Sequence, residues 1–141
     1  MVISLQSTNR IVTSVGRIHI EFDVADLNQI LRTANEGLEL YIAKRKTYYS
    51  WYSVEDVVRK NCRRSDLSSK FCQSTLKSQV LPIQLMILHY VLQHVISPRL
   101  AHRDEVTRLD MALLDRILEG GVLNVGYTIL HHMLSTSCIA K

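Results

Sequence analysis

Cysteine is scarce in this chain and badly spaced. Cys62, Cys72 and Cys138 are the only three in 141 residues. An odd number cannot all pair within one chain, and no CxxC occurs. No disulfide framework is expected, and a reducing, intracellular setting fits better. Metal ligands are no better placed. Nine residues separate Cys62 from Cys72, against the two to four of a zinc knuckle. His89 and His94 would stand about 140° apart around a helix, not on one face, and the neighbours His131 and His132 diverge. A site gathered by folding from Cys72, His89 and His102 has no ligand spacing behind it, so no metal and no cofactor is expected.

Long apolar runs are missing too. The longest, Val80 to Ile96, is broken by Pro82, Gln84, His89, Gln93 and His94, and a bilayer span needs about 20 apolar residues. A buried helix is the expectation there, with no membrane partner. The opening MVISLQSTNR is too polar for a secretory signal core. Catalytic fingerprints are also lacking: there is no GxSxG, no phosphate-binding loop and no dinucleotide fingerprint. The HRDE at His102–Glu105 opens like a kinase catalytic loop. Leu109, however, stands where that loop needs Asn, and its DFG and glycine-rich partners are missing. HRDE therefore reads as a helix start, with Asp104 and Glu105 favouring the positive N-terminus, and no enzyme is expected.

What remains is ordinary for an ordered globular protein: 47% hydrophobic, 21% charged, net charge +4. The length fits one domain, 1–141, with a real core. Residues 9–22 alternate, Ile18, Ile20 and Phe22 against Arg17, His19 and Glu21, which predicts a hairpin turning at Gly16. Asp23 is placed to cap a short helix through about Arg32, with Val24, Leu27, Ile30 and Leu31 as its buried stripe. Ser53 caps a second helix carrying Val54, Val57, Val58 and Cys62. Residues 63–79 are polar and weakly periodic, a loop with at most a helical turn near Phe71 and Leu76.

Pro82 opens a helix to about Ile96. It is apolar on most sides and so expected at the centre, with 104–119 and 124–136 as nearest partners. The helix beginning near Asp104 or Val106 buries Val106, Leu109, Leu113 and Ile117. Arg108, Asp110, Asp115, Arg116 and Glu119 form its solvated side, and Gly120-Gly121 ends it. Asn124 caps the last helix, with Val125, Ile129, Met133 and Leu134 inward. The fold class expected is mainly α, a bundle of about five helices over about 23–136 with a small N-terminal β-hairpin.

One stretch, SPRLAHRDEVTRLDMALLDRILEGGVLNVGYTILHHM at 97–133, resembles the plant transposon protein domain, a family found in plant retrotransposon-derived reading frames. Its features are a proline, a His-Arg-Asp-Glu turn, a leucine-rich helix, a glycine or asparagine break and an apolar helix ending in His-Met. A weaker likeness covers VGRIHIEFDVADLNQIL at 15–31, and Asn35-Glu36-Gly37 with Tyr41 and Trp51 follows its spacing loosely. The chain departs from the family in having Leu100-Ala101 before the histidine. The resemblance implies lineage and architecture, and it brings no catalytic residue.

The functional lead from composition is a basic, aromatic window. Residues 44–64 hold Lys44, Arg45, Lys46, Arg59, Lys60, Arg63 and Arg64 against Glu55 and Asp56, with Tyr48, Tyr49, Trp51 and Tyr52 among them. Such a mixture can contact phosphates and stack bases, making Lys44, Arg45, Lys46, Trp51, Arg59, Lys60, Arg63 and Arg64 candidates for weak, non-specific nucleic-acid binding. Equally, the charges can be a solvated face. Two other readings stand beside it: a protein-interaction or self-assembly module, and a mobile-element remnant without retained function.

Overall fold

The alternating stretch at 10–23 does form a hairpin. The computed structural model describes residues 3–7, 10–41, 54–62, 76–99 and 101–137. The chain divides into two units, Met1–Tyr41 with Val122–Lys141, and Ile42–Gly121. The described residues are mainly α, with five α-helices.

In the first unit, β2 (Arg10–Val15) and β3 (Ile18–Asp23) pair antiparallel, Ile11 opposite Phe22 and Val15 opposite Ile18. The two-residue turn between them places Gly16 at φ +63°, the left-handed geometry that hairpin turns need. A third strand, β1 (Ile3–Ser7), pairs with β2 and was not anticipated. Ile11 packs with Leu130 and Leu134, flanked by Phe22, Val24 and Leu27. Only the base of the hairpin is covered, and Val15, Ile18 and Ile20 stay exposed near its tip.

Asp23 caps α1 (Val24–Leu31) as expected. Its carboxylate accepts from the Asp26 N–H at 3.0 Å, and Asp26 returns a bond to the Asp23 N–H. The expected buried stripe is corrected: Ile30 and Leu31 are exposed, and Asn28 is buried in their place. Asn28 Nδ2 donates to Asn35 Oδ1 (3.0 Å) and Asn124 Oδ1 (2.8 Å), while its Oδ1 accepts from Thr33 Oγ1 (2.9 Å) and the Gly126 N–H (2.8 Å). An amide so fully bonded can be buried at little cost, and it turns its own face of α1 toward α5 (Val125–Ser137).

Asn124 caps α5 by accepting from the Tyr127 N–H at 3.1 Å. The inward face of α5 is also corrected. Gly126, Leu130 and Leu134 are buried four residues apart, Val125 and Ile129 are half-buried, and Met133 is exposed. Close approach explains the rotation, because a Cβ on Gly126 would lie 2.7 Å from Asn28 Oδ1 and 2.8 Å from the Val24 carbonyl.

The second unit contains α2 (Val54–Asn61), β4 (Leu76–Lys77), a short 3-10 turn at Ser78–Val80, α3 (Ile83–Val95), β5 (Glu105–Val106) and α4 (Arg108–Leu118). Ser53, the expected cap of α2, and 63–75 of the expected loop lie outside the described residues. The end of that loop is corrected: Leu76 pairs with Val106 and Lys77 with Glu105 as a small antiparallel ladder. Buried here are Val57, Val58, Leu76, Leu81, Leu85, Leu92, Val106, Leu109, Met111, Leu113 and Leu114.

HRDE does not begin a helix. It forms a turn with His102 at φ +57° and the Glu105 N–H bonded to the His102 carbonyl at 3.0 Å. Helix α4 starts three residues beyond Glu105, behind Thr107. The Thr107 hydroxyl accepts from the Asp110 N–H, and the Asp110 carboxylate accepts from the Thr107 N–H at 2.7 Å. Gly120, at φ +69°, follows its end.

Candidate functional site

Helix α3, IQLMILHYVLQHV, contains no Asp, Glu, Lys or Arg. The expectation that such a helix is buried on most sides is corrected. Leu85, His89, Leu92 and Gln93 face inward, while Ile83 (57% exposed), Ile87 (62%), Tyr90 (64%), Val91 (47%) and Val95 (57%) face solvent. The helix thus presents an apolar stripe outward and draws two polar side chains into the core. On the outer side, His94 Nδ1 donates to the Tyr90 carbonyl at 2.7 Å, and the two rings lie 4.0 Å apart.

Asp110 explains this inversion. Expected on the solvated side of α4, it has no exposed surface. Its Oδ2 accepts from the Thr107 N–H (2.7 Å) and hydroxyl (2.9 Å) and from the Arg99 guanidinium, and it lies 3.3 Å from His89 Nε2. Arg99 also donates to the Glu105 carbonyl at 3.1 Å and the Thr107 hydroxyl at 3.2 Å. In the tautomer with hydrogen on Nε2, the His89 ring donates to the carboxylate. Gln93 Nε2, 2.8 Å from that same ring nitrogen, donates to the Glu105 carbonyl at 3.0 Å. Burial pushes the Asp110 pKa up, but the bond from His89, the Arg99 charge and the Thr107 N–H overcome it and hold the carboxyl below its ordinary value. His89 points inward because this carboxylate needs donors, and Gln93 because the Glu105 carbonyl does. The cluster ties Arg99, Glu105 and Thr107 to α3 and α4.

Of the basic candidates, Lys44, Arg45, Lys46, Trp51, Arg63 and Arg64 lie outside the described residues. Arg59 and Lys60 occupy the last turn of α2. Arg59 is exposed and 3.8 Å from Asp56. Lys60 Nζ is 3.0 Å from Glu119 Oε1 and 3.5 Å from Asp115 Oδ1. The Glu119 hydrogen bond and the Asp115 charge raise the Lys60 pKa. Lys60 is therefore engaged with α4, and Asn61 Nδ2 reinforces the contact by donating to Asp115 Oδ1 at 3.0 Å. Among the described residues no three His, Cys, Asp or Glu side chains are grouped to hold a metal ion. No described helix is long and apolar enough to cross a membrane.

A polar cleft of about 400 Å³ in the first unit is lined by Arg10, Asp23, Val24, Ala25, Asn35, Glu39 and Asn124. Its polar groups largely serve the fold: Arg10 pairs with Glu21, Asp23 caps α1, and Asn35 and Asn124 bond Asn28.

No protein-family model, curated protein or solved structure matches this chain.

The outer face of α3 is accordingly the candidate site; the apolar excess of residues 80–96 is compatible with an interface as well as with a plain core, and the sequence alone does not say which face is left outside. A signal was present: His89 and Gln93, four apart, share one face of a helix, and a polar pair on an otherwise apolar helix marks either the wet side or a buried polar partner. Asp110, read as solvated, was that partner.

Proposed function

We propose that this chain is a non-enzymatic protein-interaction or assembly module, of the retrotransposon-derived lineage that residues 97–133 resemble, and that it works through the outer face of α3. The observation carrying this reading is the uncharged stripe Ile83, Ile87, Tyr90, Val91 and Val95, each half or more exposed or nearly so. A contiguous apolar patch on the order of 500 Å² matches the largest patch of a typical monomer, and patches of that rank are often functional. The bundle arrangement belongs to the same proposal, since helix 82–96 becomes central only when a partner closes over its outer side. Support for a non-enzymatic role comes from the titratable groups the fold gathers. Asp110, His89 and Arg99 are spent on the core, and burial pushes the half-buried Cys62 thiol pKa up, away from the reactive thiolate.

The test is proximity labelling in cells with wild-type chain, Ile87→Glu, and an Arg59, Arg63, Arg64 charge reversal, each variant checked for an unchanged melting curve. Ile87→Glu should strip the labelled protein set and the charge reversal should leave it in place. The opposite pattern would overturn this reading in favour of the basic stretch.

A further inference from the structure

The chain leaves the first unit and returns to it through one backbone pairing. The first unit holds residues 1–41 and 122–141, and residues 42–121 stand between them in the sequence. At the join, Leu38 and Leu123 form a parallel bridge. The Leu38 N–H donates to the Val122 carbonyl at 3.0 Å, and the Asn124 N–H donates to the Leu38 carbonyl at 3.1 Å. Gly37 permits this approach. It sits at φ +103°, and a Cβ there would lie 2.8 Å from the Val122 carbonyl oxygen, so a side chain would force the two segments apart. The outgoing segment is then held along α5. The Leu40 carbonyl accepts from the Thr128 hydroxyl at 2.8 Å, the Leu40 side chain is buried, and the Tyr41 hydroxyl donates to Ser135 Oγ.

Each unit also has packing and buried polar bonds of its own. In the first, Ile11, Leu130 and Leu134 join the hairpin to α5, and Asn28 bonds Asn124 across α1 and α5. In the second, Val58, Leu92, Leu113 and Leu114 are buried, and Asp110 gathers His89, Arg99 and Thr107. We propose that residues 42–121 are an inserted unit that opens and refolds by itself, while the Leu38–Leu123 pairing keeps the first unit closed across it. Cooperative openings of this kind follow contiguous packed units. An opened insertion burdens the first unit only through loop-closure entropy, which grows slowly with loop length, and the pairing at its two ends is what resists that burden. The device holds whatever covers α3.

Hydrogen exchange of the full chain, read by mass spectrometry on peptides from each unit, tests this. Leu113→Ala, at a fully buried position of α4, should speed exchange about tenfold or more in α2, α3 and α4 and leave the hairpin, α1 and α5 within about twofold of wild type. Leu130→Ala, fully buried in α5, should do the reverse. Gly37→Ala should act as Leu130→Ala does, because it parts the pairing that closes the first unit. Should an alanine variant fail to fold, Leu113→Val and Leu130→Val make the same comparison with a smaller rise. Exchange that rises equally in both units for either core variant would show one cooperative body and overturn the proposal. So would a Gly37→Ala chain that speeds α3 and α4 as much as α1 and α5, or that leaves every rate unchanged.

Discussion

A carboxylate without exposed surface must be held ionised by its neighbours or take up a proton. Around Asp110 the donors of Thr107 and Arg99, with the His89 ring beside them, do the holding. The sign of the pH effect follows from the lowered carboxyl pKa. The stabilisation is fully present above the unfolded-state value of about 3.9 and is lost as pH falls through the folded value. Melting temperature should therefore hold through neutrality and drop below about pH 4. Asp110→Ala should cost about 3 kcal/mol in denaturant unfolding at pH 7, since it strips Arg99 of its charge partner inside the unit, and it should flatten the acid drop.

His131 differs in kind. Its ring lies 4.2 Å from Tyr127 and 5.7 Å from Tyr41, and its buried Nε2 has no hydrogen-bond partner among the described residues. Burial lowers its pKa, with the Glu39 charge partly opposing. The unfolded chain then takes up this proton first, so stability is lost as pH falls from about 6.5. His131→Phe keeps the ring stack and removes the unpaired nitrogen. It should melt no lower than wild type at pH 7 and resist the loss between about pH 6.5 and 5, as thermal melts across that range would show.

Helix termini show which local signals survive folding. Asp23 and Asn124 were readable because a capping side chain needs only its own next three residues. Asp104 was misread for the same reason: it sits before an apolar helix and carries the right charge, yet Thr107 takes the cap and Asp104 pairs with Lys77 at 2.7 Å. Thr107→Ala should cost about 1 kcal/mol of stability, while Asp104→Ala, at an exposed position, should leave the melting temperature unchanged. Equal effects of the two would refute the assignment.

The β4–β5 ladder was not legible, because two-residue strands are too short to show a period. Nor was the inward face of α3. Its wheel is apolar nearly all round, so the choice of face was made by Asp110, on another helix, twenty-one residues from His89. The α1–α5 contact was hidden likewise, since it turns on a glycine where apolar side chains were counted. Gly126→Ala should destabilise the chain by about 1–3 kcal/mol, the range for overpacking, because its methyl would fall within 2.8 Å of Asn28 and Val24. A change within error in chemical denaturation would mean that the two helices yield more easily than their spacing suggests.

For the whole chain, salt separates the competing functions. The net charge is +4, but α3 carries no Asp, Glu, Lys or Arg, and added salt leaves apolar burial intact. Association through α3 should therefore hold from roughly 50 to 200 mM salt. Contacts to nucleic-acid phosphates do the reverse, losing affinity as released counterions are resisted by the bulk salt. Lys60 bears on the size of that effect. Its ammonium is already shared between Asp115 and Glu119, so recruiting it to a phosphate would first break both ion pairs. If the basic stretch bound single-stranded RNA, Lys60→Ala would leave the salt slope of binding unchanged, whereas loss of a true phosphate contact would lower it by about one. Capture of the proteins found by proximity labelling and titration of labelled RNA at the same two salt concentrations should accordingly diverge, with protein capture steady. Protein capture that falls with salt in parallel with RNA binding would place the basic residues, and not the α3 stripe, at the interface.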